Sequence, residues 1–220
     1  MFIPFSPGNI MLKKIGISIL TTAFTALALA QSPAPASSPV RLRGTIEKVE
    51  PALITIKERS GEVITLVRPT DMDVTEVFPI ALGDIKTGSY IGTAAMPQAD
   101  GTQLALEVLV FPETMRGGGE GHRPWDLQPQ STMTNATVAD LAAAPSSVPG
   151  GQKLVLKYKD GEKTVIVPPN VPVVTFKPGK VDEKVLVVPG ARVLITAQEK
   201  DGKPTALRMV VGRNGFAPPM

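Results

Sequence analysis

DGTQLALEVLV (Asp100 to Val110) is matched 101 residues later by DGKPTALRMVV (Asp201 to Val211), with Gly101 falling on Gly202 and Ala105 on Ala206. Each stretch opens on Asp-Gly, the pair that suits a tight hairpin because glycine tolerates positive φ, and continues as a strand-like apolar run. Outward from this pair the correspondence continues. KTGSYIGTA (Lys86 to Ala94) matches VPGARVLIT (Val188 to Thr196) at an offset of 102, and ITIKERSGEVITLVRP (Ile54 to Pro69) matches LVLKYKDGEKTVIVPP (Leu154 to Pro169) at 100. RGTIEKV (Arg43 to Val49) matches NATVADL (Asn135 to Leu141) at 92, so the second copy carries about eight extra residues near Ala142 to Pro149. A period near 100 residues marks a duplicated domain, because solenoid units run to only about 20 to 50.

Within each copy the local signals are those of strands. Leu154, Leu156 and Tyr158 alternate with Val155, Lys157 and Lys159, which predicts one buried and one wet face. Glu107 and Arg208 occupy the same position in the two copies, an exchange of charge that reads as a solvent face. With a first strand at Val40 to Val49 or Met133 to Leu141, each copy has about five strands, and closure into a barrel removes the sheet edges. Gly44 suits a sharply bent barrel strand. The expected fold is all-β, with two tandem small five-stranded barrels, OB-like or alternatively SH3-like, each able to fold alone. The expected boundaries are 40–111 for the first barrel, 112–131 for a Gly/Pro-rich linker, 132–213 for the second barrel and 214–220 for a tail.

The first thirty residues are of another kind. Lys13 and Lys14 precede an uncharged run, Ile15 to Ala30, that ends in Ala28-Leu29-Ala30, a pattern a signal peptidase cuts. This run is shorter than the roughly 20 residues a membrane span needs. Residues 1–30 therefore read as a signal peptide, with Met1 or Met11 as the start, and residues 31–39 as a Pro/Ala/Ser tether. The expected location is the periplasm, as a soluble protein with no membrane span in the mature chain. Without Lys13 and Lys14 the formal charge falls from +3 to +1, which lacks the basic excess of a nucleic-acid binder. The chain has no Cys, hence neither disulfides nor a lipoprotein anchor. Its 43% hydrophobic residues suit a globular core, and 22 Pro with 20 Gly favour short strands and turns.

The two copies resemble a small β-domain of unknown function common in exported bacterial proteins. Over nearly all of the mature chain, including MRGGGEGHRPWDLQPQSTMTNATVAD (Met115 to Asp140) and the ending VGRNGFAPPM, the sequence is similar to exported proteobacterial proteins often labelled "metal ABC transporter permease". The resemblance implies a periplasmic setting and brings no catalytic residue with it. The label conflicts with the residues, because a permease needs several spanning helices.

RGGGEGHRPWDLQPQ (Arg116 to Gln130) holds the one His and the one Trp of the chain. A catalytic His needs rigid placement, and His122 lies in a glycine-rich linker, which argues against triad chemistry. GGGEG (Gly117 to Gly121) lacks the Lys-Ser/Thr of a phosphate loop. Glu113, Glu120, His122 and Asp126 form an alternative metal set of mixed oxygen and nitrogen ligands, set against a solvated polar linker. Asp71 and Asp73 read as an exposed turn. Trp125, with Pro124 and Arg123, reads as a strap orienting the two barrels, since a merely flexible spacer needs no large apolar ring. The halves are oppositely charged, −3 over Val40 to Phe111 and +5 over Met133 to Arg213. Lys153, Lys157, Lys159 and Lys163 gather around one hairpin as a solvated face or a face for an anionic partner. No cofactor is expected. The reading favoured by these residues is a non-catalytic binding or scaffolding module for an envelope protein or anionic ligand. A metal-associated accessory protein using the linker comes second and an enzyme third.

Overall fold

The structure, a computed structural model, describes residues 38–219; the expected signal peptide, 1–30, and all but the end of the expected tether, 31–39, lie outside the described residues. The strands are β1 (Val40–Val49), β2 (Leu53–Glu58), β3 (Val63–Val67), β4 (Asp73–Pro79), β5 (Tyr90–Pro97), β6 (Gln103–Val110) and β7 (Gly121–Pro124). Then come β8 (Thr132–Ala143), β9 (Gln152–Tyr158), β10 (Gly161–Val167), β11 (Val173–Phe176), β12 (Arg192–Lys200) and β13 (Lys203–Gly212). The all-β expectation holds, and the hairpins fall where the Gly-containing turns place them. Gly61, Gly101, Gly161 and Gly202 all have φ on the positive side.

The sheet runs β10-β9-β8-β5-β6-β11-β4-β13-β12-β1-β2-β3, with β7 added beside β8. A parallel pairing of Val165 with Gln103 and Ile166 with Leu104 joins β10 to β6, so β5, β6, β8, β9 and β10 form a closed five-strand barrel. On the other side β3, β2, β1, β12 and β13 form a second five-strand set, whose ends meet at one parallel bridge, Thr205 with Val67. The order reads alike from both ends once β1 is exchanged for β8, β2 for β9, β3 for β10, β12 for β5, β13 for β6 and β4 for β11. Registers follow the same rule. Arg43 faces Leu194, and Asn135 faces Gly92 at the sequence offsets of 92 and 102. The shifts between Ile46 and Lys48 and between Val138 and Asp140 also correspond.

This pairing differs from the expected division at 40–111 and 132–213. The closed barrel takes β5 and β6 from the first copy and β8, β9 and β10 from the second, while the other set takes the complement. The reason lies in β4 and β11. β4 pairs with β13 from Asp73 to Val77 and with β11 from Val77 to Pro79, so its far end leads the chain out of one set and delivers the hairpin β5–β6 to the other. β11 does the same for β12–β13, pairing with β6 and with β4. Alternation and turn residues specify hairpins locally, and which sheet edge a hairpin joins depends on contacts distant in sequence.

Each set fills its interior from the inward rows of its strands. Ile46, Ile54, Ile56, Leu66, Ile195 and Met209 pack in one, and Ile91, Val108, Leu154, Leu156 and Val165 in the other. Between them Val77, Leu109, Val174 and Phe176 form a third cluster, joined by Phe111, Val210 and Phe216. A Cβ at Gly44 would run into the carbonyl of Lys57, which accounts for glycine in the β1–β2 pairing. No helix among the described residues is long and apolar enough to cross a membrane.

Candidate functional site

The outward rows of the two sets line a common cavity of about 320 Å³. Because side chains alternate along a strand, Arg41 of β1 shares its face with Leu194 and Thr196 of β12, Arg208 and Val210 of β13, and Asp73 and Thr75 of β4. From the barrel side come Gly92 of β5, Leu109 of β6, and Met133 and Asn135 of β8. Phe111 and Phe176 add aromatic walls, with ring centroids 6.2 Å apart in an edge-on arrangement. The volume lies at the small end of the range of about 300–1,000 Å³ common to small-molecule sites.

A further wall is the segment expected to be a linker. It supplies Met115, Gly118, Gly119, Arg123 and Trp125. Its middle is a strand, since β7 pairs antiparallel with β8 and sets Arg123 opposite Met133. Its glycine turns are held by side chains of the barrel: Asn135 Nδ2 donates to the Gly118 carbonyl at 3.0 Å and the Tyr90 hydroxyl donates to the same oxygen at 3.2 Å. Gly119 has φ of 59°, and a Cβ there would stand 3.1 Å from Asn135 Nδ2. The Trp125 backbone N–H donates to the Ser131 carbonyl at 2.8 Å. Its ring, half-buried, lies under the Arg41 guanidinium at 3.8 Å and beside that of Arg123 at 5.5 Å. Pro124 ends β7 and is exposed.

Charge in the cavity is unevenly compensated. Asp126 binds both Arg41, at 3.1 Å, and Arg43, at 2.9 Å. Burial pushes the Asp126 carboxyl up, but the hydrogen bonds and charges of Arg43 and Arg41 outweigh it and hold the group below the usual carboxylate range. Arg123 donates to the Gly119 carbonyl at 2.8 Å and has no carboxylate in ion-pair reach among the described residues. Burial, then the neighbouring Arg41 charge, lower its pKa, the mark of a cation held where its charge is not offset. Arg208 donates to Thr196 Oγ1 at 3.2 Å, and Asp73 is the one acid in the lining. Asp71 lies in the exposed turn expected of it, whereas Asp73 already opens β4.

Glu107 corrects the reading of a solvent face. Its side chain projects on the same side of β6 as Leu109, is 1% exposed, and finds no hydrogen-bond partner for either carboxyl oxygen among the described residues. Burial raises its pKa to about 8, against the opposing charges of Arg43 and Arg59. Its sequence counterpart Arg208 is exposed, so the two equivalent positions have opposite surroundings. A second buried carboxylate, Glu76, is fully engaged. Arg213 grips it at 2.7 and 3.0 Å and Lys177 stands at 3.5 Å, which ties the C-terminal turn to β4.

The four residues of the alternative metal set do not converge. Glu113 pairs with Arg116, Glu120 accepts from the Lys159 backbone at 3.0 Å, His122 Nδ1 meets Thr134 Oγ1 at 2.8 Å, and Asp126 is held by the two arginines. Among the described residues no group of three potential ligands assembles. Only His122 lies in β7; Glu113 stands in the turn after β6, and Glu120 and Asp126 flank the strand, each engaged by its own partner. The lysines likewise do not share one face. Lys153 and Lys157 are exposed on the outer side of β9, Lys159 lies in the turn, and Lys163 pairs with buried Leu156 and is half-buried on the other side. Arg41, which lines the cavity, and Glu107, buried two residues before the lining residue Leu109, come from one sequence copy but stand in different five-strand sets, so the surroundings of neither carry a signal in the sequence. Compared with protein families, with curated proteins and with solved structures, the chain matches none.

Proposed function

We propose that the protein is an exported, non-catalytic binding module whose ligand site is the cavity between the two five-strand sets. The observation that carries this reading is the cavity's composition: a concave apolar interior of Leu109, Phe111, Met133, Phe176, Leu194 and Val210, bordered by a few polar and cationic groups. That is the make-up of a recognition site. Nothing in the lining pairs a nucleophile with a base, which favours binding over catalysis. Export to the periplasm rests on Lys13, Lys14 and the Ala28-Leu29-Ala30 pattern. Both sets are read as OB-like barrels, SH3-like being the second reading, descended from one duplicated domain. The recurrence of registers and bulges at the offsets of 92 and 102 supports this duplication.

The test is a thermal-shift screen of the mature protein with small amphiphiles of neutral, cationic and anionic head group, repeated on Thr196→Phe, which places a ring in the cavity. Saturable stabilisation by at least one class, lost in the filled variant, is the expected outcome. Stabilisation by none of them removes the cavity as the site.

A further inference from the structure

We infer that the cavity takes a small amphipathic monoanion, its carboxylate on Arg123 and its apolar body against Phe111, Phe176 and Leu109. The inference rests on the binding reading above and adds the ligand's charge and orientation.

Arg41, Arg123 and Arg208 line the cavity against a single acid, Asp73. Arg41 is neutralised from outside by Asp126 and covered by the Trp125 ring. Arg208 is exposed and lies beside Asp73 in the register of β13 with β4. Arg123 alone is both half-buried and without a carboxylate partner among the described residues, with one hydrogen bond to a carbonyl. A half-buried guanidinium without a counter-charge is costly, and it becomes favourable when a ligand brings the missing anion in a planar, bidentate form. The buried acid Glu107, two residues before the lining residue Leu109 on β6, does not oppose such a ligand, since burial raises its pKa to about 8. Phe111 and Phe176 pack into the cluster of Val77, Leu109 and Val174, whereas Arg123 stands on β7, so the apolar body and the carboxylate meet different elements. Trp125 both borders the cavity and is the only tryptophan of the chain, which makes its emission a direct report on occupancy.

The experiment titrates the mature protein with octanoate and with octanol, following Trp125 emission and confirming stoichiometry by calorimetry. It is repeated on Arg123→Met and Arg123→Lys, with the circular dichroism spectrum as the check on folding. Octanoate is expected to bind one to one, at least tenfold more tightly than octanol. Arg123→Met is expected to abolish that difference while leaving octanol affinity unchanged, and Arg123→Lys to retain part of it. Equal affinity for the two probes overturns the anionic assignment but leaves a binding cavity. A preference for octanoate that persists in Arg123→Met overturns the role of Arg123. Failure of both probes to bind overturns the anionic assignment, and together with no stabilisation by any head-group class it overturns the binding reading itself.

Discussion

The guanidinium of Arg41 lies 3.8 Å from the centroid of the Trp125 ring. It joins the first strand of one five-strand set to a segment whose own strand, β7, belongs beside the other. The same arginine is held in place by Asp126, the residue next to Trp125. Ring, carboxylate and guanidinium thus form one clamp across the two sets.

Trp125→Ala is expected to lower stability by about 1–3 kcal/mol, below the cost of emptying a fully buried site because the ring is half-exposed. Arg41→Ala in a double-mutant cycle with Trp125→Ala is expected to return a coupling of about 0.5–1 kcal/mol in urea denaturation. Strict additivity of the two substitutions would leave the clamp without energetic content.

The exchange of hairpins predicts that neither half of the chain folds by itself. Residues 38–118 hold β1, β2 and β3 without β12 and β13, and residues 119–219 hold β8, β9 and β10 without β5 and β6. Each fragment lacks two of the five strands around its own core and exposes open edges. Neither is expected to melt cooperatively as a monomer. Mixing the two is expected to restore a single cooperative transition and a β-type circular dichroism spectrum. Independent, monomeric, cooperative folding of either fragment contradicts the exchange.

Glu107 predicts an unusual pH dependence. Its carboxyl, ordinarily near 4.5, is raised to about 8 in the folded state, so the folded chain retains a proton that the unfolded chain has lost. Its contribution is therefore complete below pH 4.5 and decreases as pH rises to about 8, by at most about 1.4 kcal/mol per pH unit, levelling above that value. Glu107→Gln keeps the shape and removes the proton, so its stability is expected to stay flat over this interval relative to the parent and to exceed it above pH 8. Urea denaturation at steps from pH 5 to pH 9 measures both slopes. Parallel curves for the two proteins would show that Glu107 ionises freely.

Several features of this chain were determined by its sequence alone. The all-β class and the hairpins at Ser60-Gly61, Asp100-Gly101, Asp160-Gly161 and Asp201-Gly202 were legible because alternation and turn chemistry act between neighbours. The buried row of Leu154 and Leu156 was legible for the same reason. The tertiary structure alone decided which hairpin joins which strands. β5–β6 meets β8 and β12–β13 meets β1, although each hairpin has the same local pattern and either partner offers an equivalent edge. Glu107 and Arg208 hold equivalent places in the two sets, yet one is a buried acid and the other an exposed base. The cavity, and Arg123 at its wall without a carboxylate partner among the described residues, also follow from the tertiary arrangement. Their walls come from strands far apart in the chain, and a side chain's surroundings across a sheet face are set by packing between elements, which no local pattern encodes.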